Sequence, residues 1–285
     1  MPECGARALS AAASGGHQTH PRWHLNRDIA RMVSAGDELG FETSDDPIGS
    51  VEMRPIGQKI AEGRDSEIFD HGPGKVLRVA RDGRSLVDEA NIMRYVRSHG
   101  YPVPEVHDAG DGFLVMDRVD GPTMMQRVGK PPFPLRRFGR VLADLHDRLH
   151  RIPAPPGIRL APLSGDRLLH RDLHPLNVLM SSEGPVVIDW ANASAGDPAF
   201  DVADTWVLFA TARPPMSRID HLIVPLGRRI FLRSFLSQVD QHAARRAIPA
   251  AVAHRLTDRN HTPDEHARMR KLGRWASDLT FRTSR

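Results

Sequence analysis

The chain has 285 residues, 40% of them hydrophobic and 26% charged, with a formal net charge of +4. This is enough for one large domain or two lobes around a sizeable core, with the balance of an ordinary soluble globular protein. The absence of any run of about 18 apolar residues excludes a transmembrane helix, and a single cysteine, Cys4, excludes an internal disulfide.

Residues 1–47 read as a flexible N-terminal extension, rich in Ala, Ser and Gly, with an amphipathic stretch near Leu25 to Val33. Ala6 to Ala13 is too short and too polar for the apolar core of a signal peptide, and together with the lone cysteine this agrees with a cytoplasmic protein. His17, His20 and His24 lack partners at metal-ligand spacing.

From Ile48 the pattern changes to short strands. Pro55 to Ala61, Glu67 to Asp70 and Lys75 to Ala80 read as three strands, joined by a turn at Glu62 to Ser66 and a Gly-Pro-Gly cluster at Gly72 to Gly74. Ser85 to Ser98 has helical spacing, with Leu86, Ala90, Met93 and Val96 as its apolar stripe. Tyr101 to Val106 breaks that helix and begins an extended stretch, and Gly112 to Gly121 reads as a strand ending in a Gly-Pro turn. Phe138 to His150 is an amphipathic helix with Leu142, Leu145 and Leu149 on one face, where His146 and His150 read as structural polar residues. A Pro-rich connection over residues 151–167 follows.

His170-Arg-Asp-Leu-His-Pro-Leu-Asn177, followed by Val186-Val-Ile-Asp-Trp190, carries the chemistry. Pro175 lies between Asp172 and Asn177 and suits an irregular loop, because proline extends neither a helix nor a central strand. A hairpin, Val178 to Met180 and Pro185 to Ile188, then returns Asp189 beside Asn177. Phosphoryl transfer needs positioning and charge neutralisation more than covalent chemistry. Magnesium takes a few protein oxygens and keeps several waters, a role that fits Asn177 and Asp189. Asp172 fits the group that orients an attacking hydroxyl and accepts its proton.

With Gly196-Asp-Pro-Ala-Phe-Asp-Val-Ala203 added, the segment resembles the aminoglycoside phosphotransferase and choline kinase-like branch of the protein-kinase-like fold. Trp190 and Ala191 stand where a protein kinase has the Phe and Gly of Asp-Phe-Gly, and no long activation segment follows. The resemblance implies an α+β, bilobal protein-kinase-like fold: a small antiparallel-sheet N-lobe over residues 48–118 and a mainly helical C-lobe over 119–285. It implies ATP and Mg2+ as cofactors, a small-molecule hydroxyl as acceptor, and no membrane partner.

The same resemblance carries the remaining site residues. Gly63 and Ser66 would lie in the turn over the nucleotide phosphates. Arg78 would take the place of the strand lysine on the phosphates, a departure in reach and geometry, with Lys75 and Arg81 as the alternatives in a shifted register. Glu89 would pair with Arg78 from the helix, and backbone groups from Asp117 to Val119 would face the adenine edge. His170 would support the loop, and Asp201 would brace its backbone from a helix N-terminus, a position also favourable to the helix dipole.

Beyond Asp201 the pattern is helical, punctuated by prolines at 214–215, 225, 249 and 263. Arg245, Arg246, Arg255, Arg259 and the arginines from 268 to 274 read as a solvated basic face. Aromatic content of 6%, without interleaving among these arginines, disfavours a nucleic-acid partner. The arginine excess also disfavours a polycationic acceptor. A nucleotide-binding scaffold with little turnover is the alternative reading; the intact Asp172, Asn177 and Asp189 argue against it.

Overall fold

A computed structural model describes residues 57–63, 65–128, 134–212, 220–258 and 261–283. The extension expected over residues 1–47, and the start of the expected N-lobe, lie outside the described residues. The first part is a five-stranded antiparallel sheet of β1 (Lys59–Glu62), β2 (Ser66–Asp70), β3 (Lys75–Ala80), β4 (Val106–Gly110) and β5 (Phe113–Asp117), in the order β1-β2-β3-β5-β4. β3 is central because Val76, Leu77 and Ala80 are buried, and its register sets Arg78 opposite Ile68 on one side and Leu114 on the other. Helix α1 (Val87–Ser98) packs against β4 through the expected stripe, with Ala90, Met93 and Val96 all buried. β4 was legible only as an extended stretch, since the solvent-facing His107 and Asp108 hide its alternation.

After the link at Arg118 come α2 (Met124–Val128) and α3 (Leu135–His150). Leu142, Leu145 and Leu149 are fully buried, each contributing about 1.5–3 kcal/mol of transfer free energy. α3 packs on α5 (Asp220–Leu236), and the two helices meet at Gly139. A Cβ there would lie 2.7 Å from Phe231 O, so only glycine allows this approach.

Two small two-stranded sheets hold the centre of the second part. β6 (Arg167–Leu169) pairs with β9 (Ser194–Gly196), and β7 (Val178–Ser181) pairs with β8 (Gly184–Val187). α4 (Pro198–Thr211) then packs against α6 (Gln241–Arg255), and α7 (Pro263–Thr283) packs on α6. Among the described residues, no helix is long and apolar enough to cross a membrane.

Each residue that opens α4 has a local reason. A Cβ on Gly196 would lie 2.6 Å from Ala161 Cβ and 2.7 Å from Leu169 Cδ1, so β9 can reach β6 only with glycine here. Asp197 is the N-cap, its side chain accepting from Ala199 N at 2.8 Å, and Pro198 occupies the first helical position, where no N–H is needed. Asp201 follows in the first turn, buried under the loop that begins at His170.

Candidate active site

The loop after β6 is held from beneath by one carboxylate. Asp201 Oδ2 accepts from His170 N at 3.2 Å and Oδ1 accepts from Arg171 N at 2.7 Å. Arg171 has φ of 70°, the left-handed region that a side chain occupies only at a cost of order 1–3 kcal/mol. The two bonds from Asp201 and stacking of the Arg171 guanidinium 4.6 Å over the Phe200 ring offset that cost. His150 Nε2 adds a third contact to Asp201 at 3.1 Å. Burial opposes the charge of Asp201, but the hydrogen bond from His150 and the nearby imidazoles hold its carboxyl well below the usual range.

His170 ties the loop to the backbone just before Asp189. Its Nδ1 accepts from Asp172 N at 3.3 Å, so Nε2 carries the proton and donates to Ile188 O at 3.1 Å. Burial pushes this imidazole down, consistent with a neutral ring. His146, the expected structural histidine of α3, is fully buried beside Thr205 and Asp201.

Burial lowers the His146 imidazole from 6.5 to about 3. Below about pH 6.5 the unfolded chain takes up a proton that the folded chain refuses, so stability from this group is complete above pH 6.5. It is lost progressively as the pH falls towards 3. Urea midpoints measured from pH 7 to pH 4 are expected to fall, and His146→Gln is expected to flatten that slope. An unchanged slope in the variant would assign the acid sensitivity elsewhere.

Asp172, Asn177 and Asp189 are brought together as the hairpin spacing requires. Asn177 Nδ2 donates to Asp172 O at 2.9 Å and Oδ2 at 3.3 Å. Ile188 N donates to Asn177 O at 3.0 Å, and the Val178–Val187 register sets Asp189 beside Asn177. Both of these Asn177 side-chain bonds use the amide nitrogen and neither uses its oxygen. Asp189, with a side chain 43% exposed and φ of 67°, presents a carboxylate from a left-handed turn.

Arg78 and Glu89 form the expected pair across β3 and α1. Arg78 Nη1 lies 2.6 Å from Glu89 Oε1, Nη2 reaches Asp189 Oδ1 at 3.3 Å, and Nε donates to Ser66 Oγ at 3.1 Å. Glu89 Oε1 also accepts from Trp190 N at 3.1 Å, so one carboxylate links strand, helix and the turn after Asp189. Trp190 is buried; its ring N–H donates to Val187 O at 3.2 Å, and its ring packs edge-on to Tyr101 and tilted against His170.

The glycine turn and the link differ in detail from the simple expectation. Gly63 N closes the β1–β2 turn on Ser66 O at 2.8 Å, but a Cβ on Gly63 would meet nothing nearer than that oxygen at 3.7 Å. The Ser66 hydroxyl is engaged with Arg78. The Asp117 and Arg118 amides donate to Glu105 O and Gly74 O, and the Asp117 carboxylate accepts from His107 Nε2 at 2.8 Å.

One charged residue corrects the sequence reading. Arg255, grouped there with a solvated face, is buried and donates from Nη2 to Asp172 Oδ1 at 3.0 Å and from Nε to Asp204 Oδ1 at 2.9 Å. The signal was present: Ala244, Ala247, Ile248, Ala251, Val252 and Arg255 fall on one stripe at helical spacing, and all are buried. On that stripe an arginine points to a buried partner.

An antiparallel sheet joined to a helical region, with two carboxylates and an amide converging on one loop and hairpin, defines the kinase-like phosphotransferase class. Residues 57–167 and 159–230 match the phosphotransferase enzyme family, and the chain belongs to that family. It is similar to thiamine kinase of Escherichia coli, 40% identical over 60 residues, which is 21% of this chain and 20% of that one. It is also similar to streptomycin 6-kinase of Streptomyces griseus, 28% identical over an alignment of 134 residues covering 34% of this chain and 42% of that one. Each match thus spans less than half the length of the relative. In fold it resembles an ethanolamine kinase of Plasmodium vivax, with TM-score 0.52 and 13% identity over 79% of this chain and 83% of that one.

Proposed function

We propose that this chain is an ATP-dependent phosphotransferase that moves the γ-phosphoryl group to a hydroxyl of a small molecule. The observation that carries the reading is the convergence of Asp172, Asn177 and Asp189, with Asp172 bonded to Asn177 and Asn177 bonded across to Ile188, the residue before Asp189. The sheet of residues 57–118 would hold the nucleotide and the helical part the acceptor.

Asn177 and Asp189 offer oxygen donors, one of them half in solvent, and this hard, small donor set fits Mg2+. When bound, the ion neutralises charge on the β- and γ-phosphates. Arg78, already placed against Asp189 and Glu89, would reach the nucleotide phosphates. Glu89 would orient it, and Ser66 would act through its bond to the Arg78 Nε rather than on phosphate directly. Gly63 would provide close backbone approach to the anion. With the Asp117 and Arg118 amides engaged, Val119 takes the adenine contact, and Asp117 shapes the link through Glu105 and His107.

Asp172 orients the acceptor. Burial raises its carboxyl, but His174 and Arg255 outweigh burial and hold it well below the ordinary range. Such a weak base binds the acceptor O–H as an ionised carboxylate and takes the proton late, as the new O–P bond forms and the bond to the leaving ADP oxygen breaks. His170 and Asp201 keep the loop in place beneath it.

Thermal shift with MgATP, followed by ADP release against thiamine, streptomycin, choline and ethanolamine, tests the reading. MgATP at 100 times its dissociation constant is expected to stabilise the fold by about 2.7 kcal/mol, and one hydroxyl compound is expected to raise ADP release. No shift at any MgATP concentration would remove the nucleotide assignment. A shift without turnover on a wide alcohol panel would favour a nucleotide-binding scaffold.

A further inference from the structure

Arg255 closes α6, beyond residue 230 where the family match ends. Its guanidinium meets the catalytic loop twice, with Nη2 3.0 Å from Asp172 Oδ1 and 3.2 Å from Arg171 O. On its other edge Nε is 2.9 Å from Asp204 Oδ1, a buried carboxylate on α4 whose Oδ2 lies 3.8 Å from Arg171 Nε. Asp172 is therefore joined through one buried cation to the helices behind the loop. Its contacts on Oδ1 and Oδ2 differ: Arg255 holds Oδ1 closely, whereas Asn177 Nδ2 and His174 Nε2 lie 3.3 and 3.4 Å from Oδ2.

Stability alone does not explain this arrangement. A buried ion pair is often no better than well-packed apolar residues of the same volume. The other buried residues of α6 are small and apolar, and an apolar residue at 255 would complete that stripe. What an apolar residue would not do is fix the rotamer of Asp172. An arginine does so through Nη2 while its Nε stays anchored on Asp204, two donors held in one plane that a lysine cannot reproduce.

We propose that Arg255 is a positioning residue for phosphoryl transfer: anchored on Asp204, it fixes the Asp172 carboxylate through Oδ1 and so presents Oδ2 to the acceptor hydroxyl. This rests on the phosphotransferase reading of the same site. The Asp172 carboxylate is met by Arg255 from α6 and by Asn177 and His174 from its own loop. Of these, Arg255 alone comes from outside the residues that match the family.

The test compares wild type with Arg255→Gln and Arg255→Lys in three measurements. The first is the 13C carboxyl titration of Asp172, identified by the signal missing from Asp172→Asn. The second is MgATP affinity, and the third is ADP release from MgATP with water as acceptor. Arg255→Gln is expected to raise the Asp172 titration by about one to three pH units and to cut ADP release about 10²-fold, with MgATP affinity unchanged. Arg255→Lys is expected to return the titration most of the way, with turnover still below wild type.

An Asp172 titration unmoved in Arg255→Gln, or turnover loss that only tracks loss of folded protein by thermal melting, would overturn the proposal. If Arg255→Gln does not fold, Arg255→Lys decides, and wild-type turnover in that variant overturns it. Failure of wild type to bind MgATP at all would instead strike the phosphotransferase reading, while the titration still reports whether Arg255 governs Asp172.

Discussion

An Asp172→Asn chain is expected to fold, to bind MgATP as wild type does, and to lose about 10²–10⁴-fold in turnover. The amide keeps the shape of the carboxylate and one acceptor for Arg255 Nη2, so the buried guanidinium is not stranded. On the proposed reading it loses the negative charge that would hold the acceptor hydroxyl and receive its proton. Asp172→Ala is the harsher change, since it leaves Arg255 with Asp204 as its remaining carboxylate. Turnover of Asp172→Asn at the wild-type rate, in a single-turnover assay with saturating MgATP, would assign the proton acceptor elsewhere.

The second large effect concerns the fold as much as the chemistry. Asp201→Ala is expected to cost about 3–5 kcal/mol, as removal of a partner from a buried charged network does. It strands the His170 and Arg171 amides and the His150 ring N–H together, and it frees Arg171 from its left-handed backbone. That is a large share of a total stability of about 5–15 kcal/mol. Asp201→Asn retains one acceptor oxygen and is expected to fall between wild type and alanine. Urea unfolding at neutral pH measures both, and an alanine variant as stable as wild type would show that the loop holds its shape without the brace. Because the Asp201 carboxyl titrates below its unfolded range, its contribution is complete above that range and is lost as the pH falls through it.

Much of the architecture was legible because it follows from local rules. The stripe Leu86, Ala90, Met93 and Val96 marked α1, and the turn between Met180 and Pro185 marked the hairpin that returns Asp189 to Asn177. The pairing of Arg78 with Glu89 was legible only through the resemblance, since neither the strand nor the helix names its partner. β6, β9 and α2 escaped because three to five residues are too few to show a period. Arg255 escaped for a different reason. It meets Asp172 across 83 residues of chain, and an arginine among many arginines reads as surface until its register with the buried alanines of α6 is counted.

Trp190 has one further consequence. The turn that follows Asp189 is pinned at three points, by Glu89 on its amide, by Val187 on its ring nitrogen, and by Tyr101 and His170 on its faces. β9 begins at Ser194, so three residues separate Trp190 from the next strand. On the proposed reading, these contacts fix the turn that presents the Asp189 carboxylate.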